Sequence, residues 1–167
     1  MDTNAKKSAL RMIPYGLYVL MAESASGAVA ASTVNWVTQT SFDPPLVAVA
    51  IKNGSQTQAI VKETGVFSLN MLGRDQQGAA FTFFKALERE GNSIGGQPFK
   101  LHESGAPVME NCPAFVVLQT REIVERGDHH LFLAEVTDAG FNGDLPGRAD
   151  AHILRMEDLG ENVFYGG

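Results

Sequence analysis

From Tyr15 to Thr137 the chain keeps returning to one pattern: a short run of β-branched and aromatic residues, then polar turn chemistry. The runs are Tyr15–Ala22 (YGLYVLMA), Ala28–Thr40 (AVAASTVNWVTQT), Leu46–Lys52 (LVAVAIK), Val66–Met71 (VFSLNM), Ala114–Val124 and His130–Thr137. Such side chains suit a pleated surface, so each run is expected to be a strand, the second of them bulged. The turns are Glu23–Gly27 (ESASG), Asp43-Pro44-Pro45, and Glu125–Asp128, which joins the last two runs as a hairpin with Gly in its turn. One long helical stripe stands out, Arg74–Glu90, with Ala80, Phe83, Phe84 and Leu87 on one face. Two shorter helices are expected. One spans Ala5–Ile13, with Ala9, Met12 and Ile13 inward and Pro14 ending it. The other spans Gln58–Thr64 and is closed by Gly65. Gly91–Gln97 reads as a loop, and the stretch after Leu145 has no legible pattern. Regular strand–helix alternation is missing, which disfavours a parallel doubly wound sheet. Many strands with short turns favour a mainly β fold, an antiparallel closed or partly closed barrel that hides its edges. A length of 167 residues fits a single domain, 1–167, with its own core.

The formal charge is −6. That argues against a general nucleic-acid binder, which needs a basic face, but leaves room for a phosphorylated small ligand held by a few local donors. A lone cysteine, Cys112, excludes an internal disulfide and a zinc-type cluster, and it fits a reducing compartment. Placed before Pro113 and an apolar run, it reads as a buried bystander. Apolar runs such as Leu46–Ile51 are far shorter than the ~20 residues that span a bilayer. Arg11 and Pro14 interrupt any signal-like stretch, so a cytoplasmic setting is expected, with no membrane association.

Three constellations carry polar chemistry. At Asn53-Gly54-Ser55-Gln56-Thr57 a buried strand runs into Gly, then hydroxyls, then a helix start. Free amides there, with Lys52 nearby, make a cradle for a phosphate; the plainer alternative is that Ser55 or Thr57 only caps the helix. In Ser32–Thr40 hydroxyls and amides are dense beside Trp36, the sole tryptophan. This strand lines a flat ligand with a polar edge, or else is a solvated edge. In Gly127-Asp128-His129-His130 adjacent histidines on a strand point to opposite faces. One is expected to face a pocket and the other solvent or a subunit. Nucleotide-loop, zinc-protease and serine-hydrolase patterns are absent.

The stretches YGLYVLMA, ASTVNWVTQTSFDPPLVAVAIKNGSQTQAIVKETGVFSLNML and GDHHLFLAEV, in that order, resemble the flavin reductase-like family with the FMN-binding split barrel. The YGLYV and N-W-V-T-Q wording looks most like the branch of ferric reductases and rubredoxin-linked flavin domains, and less like reductases that feed two-component monooxygenases. The resemblance implies an antiparallel Greek-key split β-barrel, a homodimer, bound FMN, and NADH or NADPH as a transient co-substrate. The electron acceptor it implies is free flavin, ferric chelate or a rubredoxin-like redox protein. Alternatives are an FMN carrier reduced by a protein partner, and a flavin- or haem-binding module without turnover. By the same resemblance Ser32, Thr33, Val34, Asn35, Trp36 and Thr38 lie along the isoalloxazine, with Thr33 or Asn35 hydrogen-bonded to it. Ala50, Ile51 and Lys52 meet the ring or ribityl chain. Asn53, Ser55 and Thr57 hold the phosphate, with Lys52 or Lys85 adding charge. His129 matches the family's G-D-H and sits near the nicotinamide. His130 stands where a small polar residue is frequent. Residues Asn162–Tyr165 cover the flavin or the partner subunit.

Overall fold

The chain opens with α1 (Thr3–Arg11), whose first turn is capped by Asp2 Oδ1 accepting from the Ala5 amide at 2.6 Å. The computed structural model describes residues 1–166. No residue of α1 is buried, and Met12 beyond it is 82% exposed, so Ala9, Met12 and Ile13 do not face inward as expected. Lys6, Lys7 and Ser8 interrupt the apolar side of α1, leaving too little apolar area to dock it.

The strands that follow are β1 (Tyr18–Glu23), β2 (Val29–Val34), β3 (Val37–Ser41) and β4 (Leu46–Lys52). Next come α2 (Gln56–Thr64), β5 (Val66–Met71) and α3 (Gln77–Thr82). A set of short strands then follows: β6 (Arg89–Glu90), β7 (Ser93–Ile94), β8 (Gln97–Leu101) and β9 (Pro107–Met109). The chain's long hairpin is β10 (Ala114–Val124) and β11 (His129–Phe141).

Three expectations are corrected. The run Ala28–Thr40 is two strands. It breaks at Asn35-Trp36, where the Val37 amide turns back to the Asn35 carbonyl at 3.1 Å and the Trp36 carbonyl accepts from the Ala50 amide at 3.0 Å. The stripe Arg74–Glu90 is helical only over Gln77–Thr82. Phe83 turns into the core, its carbonyl accepts from the Thr33 amide at 3.1 Å, and Phe84 is left 51% exposed. Tertiary pairing there overrides helical periodicity. Gly91–Gln97 is not a plain loop but holds β7 within a small antiparallel sheet, with Gly95 and Gly96 at positive φ making the turn into β8.

The main sheet has seven antiparallel strands in the order β2-β1-β5-β10-β11-β4-β3. Its outermost strands, β2 and β3, are consecutive in sequence, and the sheet curls until β2 lies against β4. The result is the split barrel. Its interior is filled by Leu20, Val49, Ile51, Phe67, Leu69, Leu118 and Phe132, with Ile60 and Val61 of α2 packed in. A second core lies on the other face of β1. There Val19 and Met21 meet Phe83, Ile94 from the small sheet, Phe99 and Cys112. Burial on both faces explains why β1 reads as a continuous apolar run. The stretch after Leu145 is tied in by isolated bridges, Gly16 with Arg155 and Gly73 with Ile153, and Leu154 is fully buried. Among the described residues no helix is long and apolar enough to cross a membrane.

Candidate functional site

A cleft of about 620 Å³ opens at the seam between β2 and β4 and reaches the start of α2. Ser32, Thr33 and Val34 at the end of β2, with Asn35 and Trp36 at the break that follows, line one wall, and Ala50, Ile51 and Lys52 of β4 line the other. Ser55 and Thr57 stand at one end, Lys85 at the rim and His129 deeper in. Thr38 and Asn53 are not brought to the cleft. Thr38 is exposed on β3, and the Asn53 amide is tied to the Asp128 carbonyl at 2.9 Å. Twelve of the fourteen expected residues therefore converge.

At the α2 end the plainer reading of the hydroxyl cluster holds for Ser55. Its Oγ caps the helix, accepting from the Gln58 amide at 3.1 Å. The amides of Gln56 and Thr57 still find no acceptor among the described residues. Gly54, at φ +75°, gives the backbone the turn that aims these groups into the cleft. Thr57 is buried, and its hydroxyl meets that of Ser32 at 2.6 Å, joining α2 to β2. With Lys52 and Lys85 at the mouth, this end suits an anion.

The middle of the cleft differs from expectation at Thr33. Its hydroxyl donates to the Ala80 carbonyl at 2.7 Å, so it ties β2 to α3 rather than presenting a donor to a ligand. Asn35 is buried, and its Nδ2 donates to the Tyr165 carbonyl at 3.4 Å. Trp36 Nε1 is buried with no partner among the described residues. A buried donor without an acceptor is costly, and a ligand with ring heteroatoms would satisfy it.

His129 and His130 do point to opposite sides of β11. His129 lines the cleft, with its ring centroid 4.7 Å from that of Trp36. Its Nδ1 is 2.9 Å from Asp128 Oδ1 and its Nε2 is 2.7 Å from the Tyr165 hydroxyl. The carboxylate only accepts, so Nδ1 carries a proton, and in the neutral ring Nε2 accepts from the Tyr165 O–H. This contact holds the Asp128 carboxyl below its usual range, while burial and Asp128 push the Tyr165 phenol up. His130 is buried, not solvent-facing, with Nδ1 3.7 Å from Glu125.

Residues 163–165 form a strap along the mouth. Val163, Phe164 and Tyr165 line the cleft, and a Cβ on Gly166 would come within 3.1 Å of Trp36. Phe83, Phe84 and Met156 also line the cleft and were not among the expected residues; nothing local in the sequence sets them apart from core positions. Cys112 is fully buried, as expected; burial pushes its thiol up to about 11, and it plays no part in the cleft.

Known proteins with similar sequences include named flavin reductases. A probable flavin reductase of Rhizobium meliloti is 28% identical over 145 residues, covering 85% of this chain but only 46% of its own. An NADH-dependent flavin reductase of Pseudomonas fluorescens is 30% identical, covering 83% of this chain and 79% of its own. A high molecular weight rubredoxin of Moorella thermoacetica is 31% identical over 144 residues, covering 83% and 59%. The solved styrene monooxygenase flavin reductase of Pseudomonas putida S12 superposes with a TM-score of 0.70 at 29% identity, covering 83% of this chain and 87% of that one. A split barrel with its cleft at the seam, relatives of this kind, and a match of residues 10–154 to the model of the flavin reductase like domain agree, and the chain belongs to that family.

Proposed function

We propose that this protein is an FMN-dependent NAD(P)H:flavin or ferric-chelate reductase acting through the cleft at the barrel seam. The observation that carries the reading is the pairing of an anion end with a flat aromatic middle. Unclaimed amides of α2 lie at one end, and the unpartnered Trp36 Nε1 lies beside His129 in the middle. The cleft volume is in the range that holds a nucleotide-sized ligand. Bound FMN supplies acceptance of a hydride from reduced nicotinamide and release of electrons to an acceptor.

The chain's own residues bind and orient. Ser55, the Gln56 and Thr57 amides and the two lysines hold the phosphate. Asn35 and Trp36 set the ring's polar edge. The Asp128–His129 contact fixes the tautomer and angle of the imidazole, which faces the place of the nicotinamide. Val34, Ile51 and Phe83 keep water from the ring face. No side chain is needed as a general acid or base for the hydride step. FMN is favoured over FAD because the anion end has one phosphate cradle.

The single-domain reading, a cytoplasmic location and a homodimer belong to the same proposal. Val124 and Leu131, cross-strand neighbours on β10 and β11, are each about 40% exposed, and a second copy would cover them. A rubredoxin-like protein as acceptor is supported by the Moorella relative's name. The test is the visible spectrum of the FMN-loaded protein before and after anaerobic NADH. Bleaching within seconds supports the reductase. A spectrum that stays yellow with either nicotinamide nucleotide points to a carrier reduced by another protein.

A further inference from the structure

The turn that leads into α2 hangs on three amide bonds. The Asn53 amide donates to the Asp128 carbonyl at 2.9 Å, and the Ser55 amide donates to the Lys52 carbonyl at 3.3 Å. The third amide, that of Gly54, donates to Gln58 Oε1 at 3.0 Å. Two of these acceptors are backbone, and Gln58 alone supplies a side chain. Nothing packs against the outer side of the turn, since a Cβ on Gly54 would meet no atom within 4 Å. Gln58 lies in the first turn of α2, is 4% exposed, and is not among the residues that line the cleft.

The carboxamide is costly where it stands. Its Nε2 is buried with no partner among the described residues. An orphaned buried donor destabilises, and an apolar side chain of the same length would fill the position without that cost. A residue that breaks a stability rule without a gain in packing points to a functional constraint. The gain here lies with Oε1. By holding the Gly54 amide it fixes the turn at φ +75°, and with it the direction of Ser55 and of the two free amides, Gln56 and Thr57. Amides at a helix start hold an anion only when they converge on it, so their direction decides what this end can bind. Being neutral, the carboxamide does this without placing a negative charge behind the anion.

We infer that Gln58 is the positioning residue of the phosphate end, and that through Gly54 it sets the preference of the cleft for a phosphorylated flavin over riboflavin. The inference rests on the flavin reading of the cleft.

The test uses Gln58→Met, which keeps the length and helix propensity of the side chain and removes its acceptor. A thermal melt close to the wild type shows that the variant folds. Fluorescence titration then compares FMN with riboflavin, which carries the same ring and ribityl chain without the phosphate. FMN affinity is expected to fall roughly tenfold while riboflavin affinity holds. Amide hydrogen exchange at Gly54, followed by NMR on the flavin-free protein, is expected to speed up. Gln58→Glu returns it to the wild-type rate, because a carboxyl oxygen accepts from Gly54 whether or not the group is protonated. Unchanged FMN affinity in Gln58→Met overturns the inference. So does equal loss for FMN and riboflavin, which would make Gln58 a packing residue of α2. Failure of the flavin reading looks different: the wild type takes up neither flavin. Inorganic phosphate then serves as the probe. Its shifts of the Gln56 and Thr57 amide resonances are expected to be weaker in Gln58→Met, and equal shifts in the two proteins overturn the positioning role.

Discussion

Ser55 caps α2, and on the proposed function it also holds the phosphate, two duties that separate by mutation. As a helix cap it contributes about 1 kcal/mol relative to Ala, whereas Gly at the same position loses only a few tenths. As a phosphate ligand its hydroxyl is irreplaceable by either. Ser55→Gly is therefore expected to melt close to the wild type yet bind FMN roughly tenfold more weakly, read by fluorescence titration. Full affinity in that variant would leave Ser55 a cap alone. The pair Asp128–His129 has a definite pH sense. The carboxyl is held below its ordinary range, so the contact is present at neutral pH and is lost as pH falls through that lowered value. The Ser55 cap was legible in the sequence because a cap is local, built from residues one turn apart. Thr33 was misread because the partner that claims its hydroxyl, Ala80, is remote in sequence.

On the proposed function, residues 163–165 are the segment that an incoming donor meets first. Tyr165 is hitched to His129 through its hydroxyl and to Trp36 by ring contact at 5.6 Å. A donor ring that approaches His129 has to displace that hydroxyl. Tyr165→Phe removes the hitch and keeps the ring, so KM for NADH is expected to fall by a factor of about three to ten. Emission from Trp36, the sole tryptophan, reports the change directly. His129→Ala is the contrasting variant: FMN stays bound, but bleaching by NADH slows in a stopped-flow trace. An unchanged rate would remove His129 from the site. Among the elements, α2 and the β10–β11 hairpin follow from periodicity and turn residues, β11 running past its expected ends at Phe141. The stripe that suggested a long helix does not, because Phe83 serves the core while Phe84 serves the cleft rim.

At the scale of the molecule, the barrel interior and the second core share β1, so damage to either reaches the seam. Phe132 is fully buried among Val49, Phe67 and Leu118 in the barrel core. Phe132→Ala is expected to cost about 3–5 kcal/mol, seen as a lower urea midpoint, because the rigid barrel cannot collapse around the void. FMN affinity should fall with it, since β4 and β11 hold both the core and the cleft walls. The curl of the sheet brings β2 within reach of β4 and leaves the cleft where the two do not pair.

The sequence by itself determined the strands, the antiparallel class and the capped start of α2. These depend on alternation, branching and turn chemistry, which act over a few residues. It also carried the family likeness, and with it expectations for fourteen residues, twelve of which line the cleft. Only the tertiary structure decided that Ala28–Thr40 breaks at Trp36, that Thr33 turns to α3, and that residues 163–165 close the mouth against His129. Each of those outcomes rests on a contact between segments dozens of residues apart, such as Asn35 with Tyr165. No local pattern encodes such a contact, because its energy is gained only once the barrel has brought the segments together.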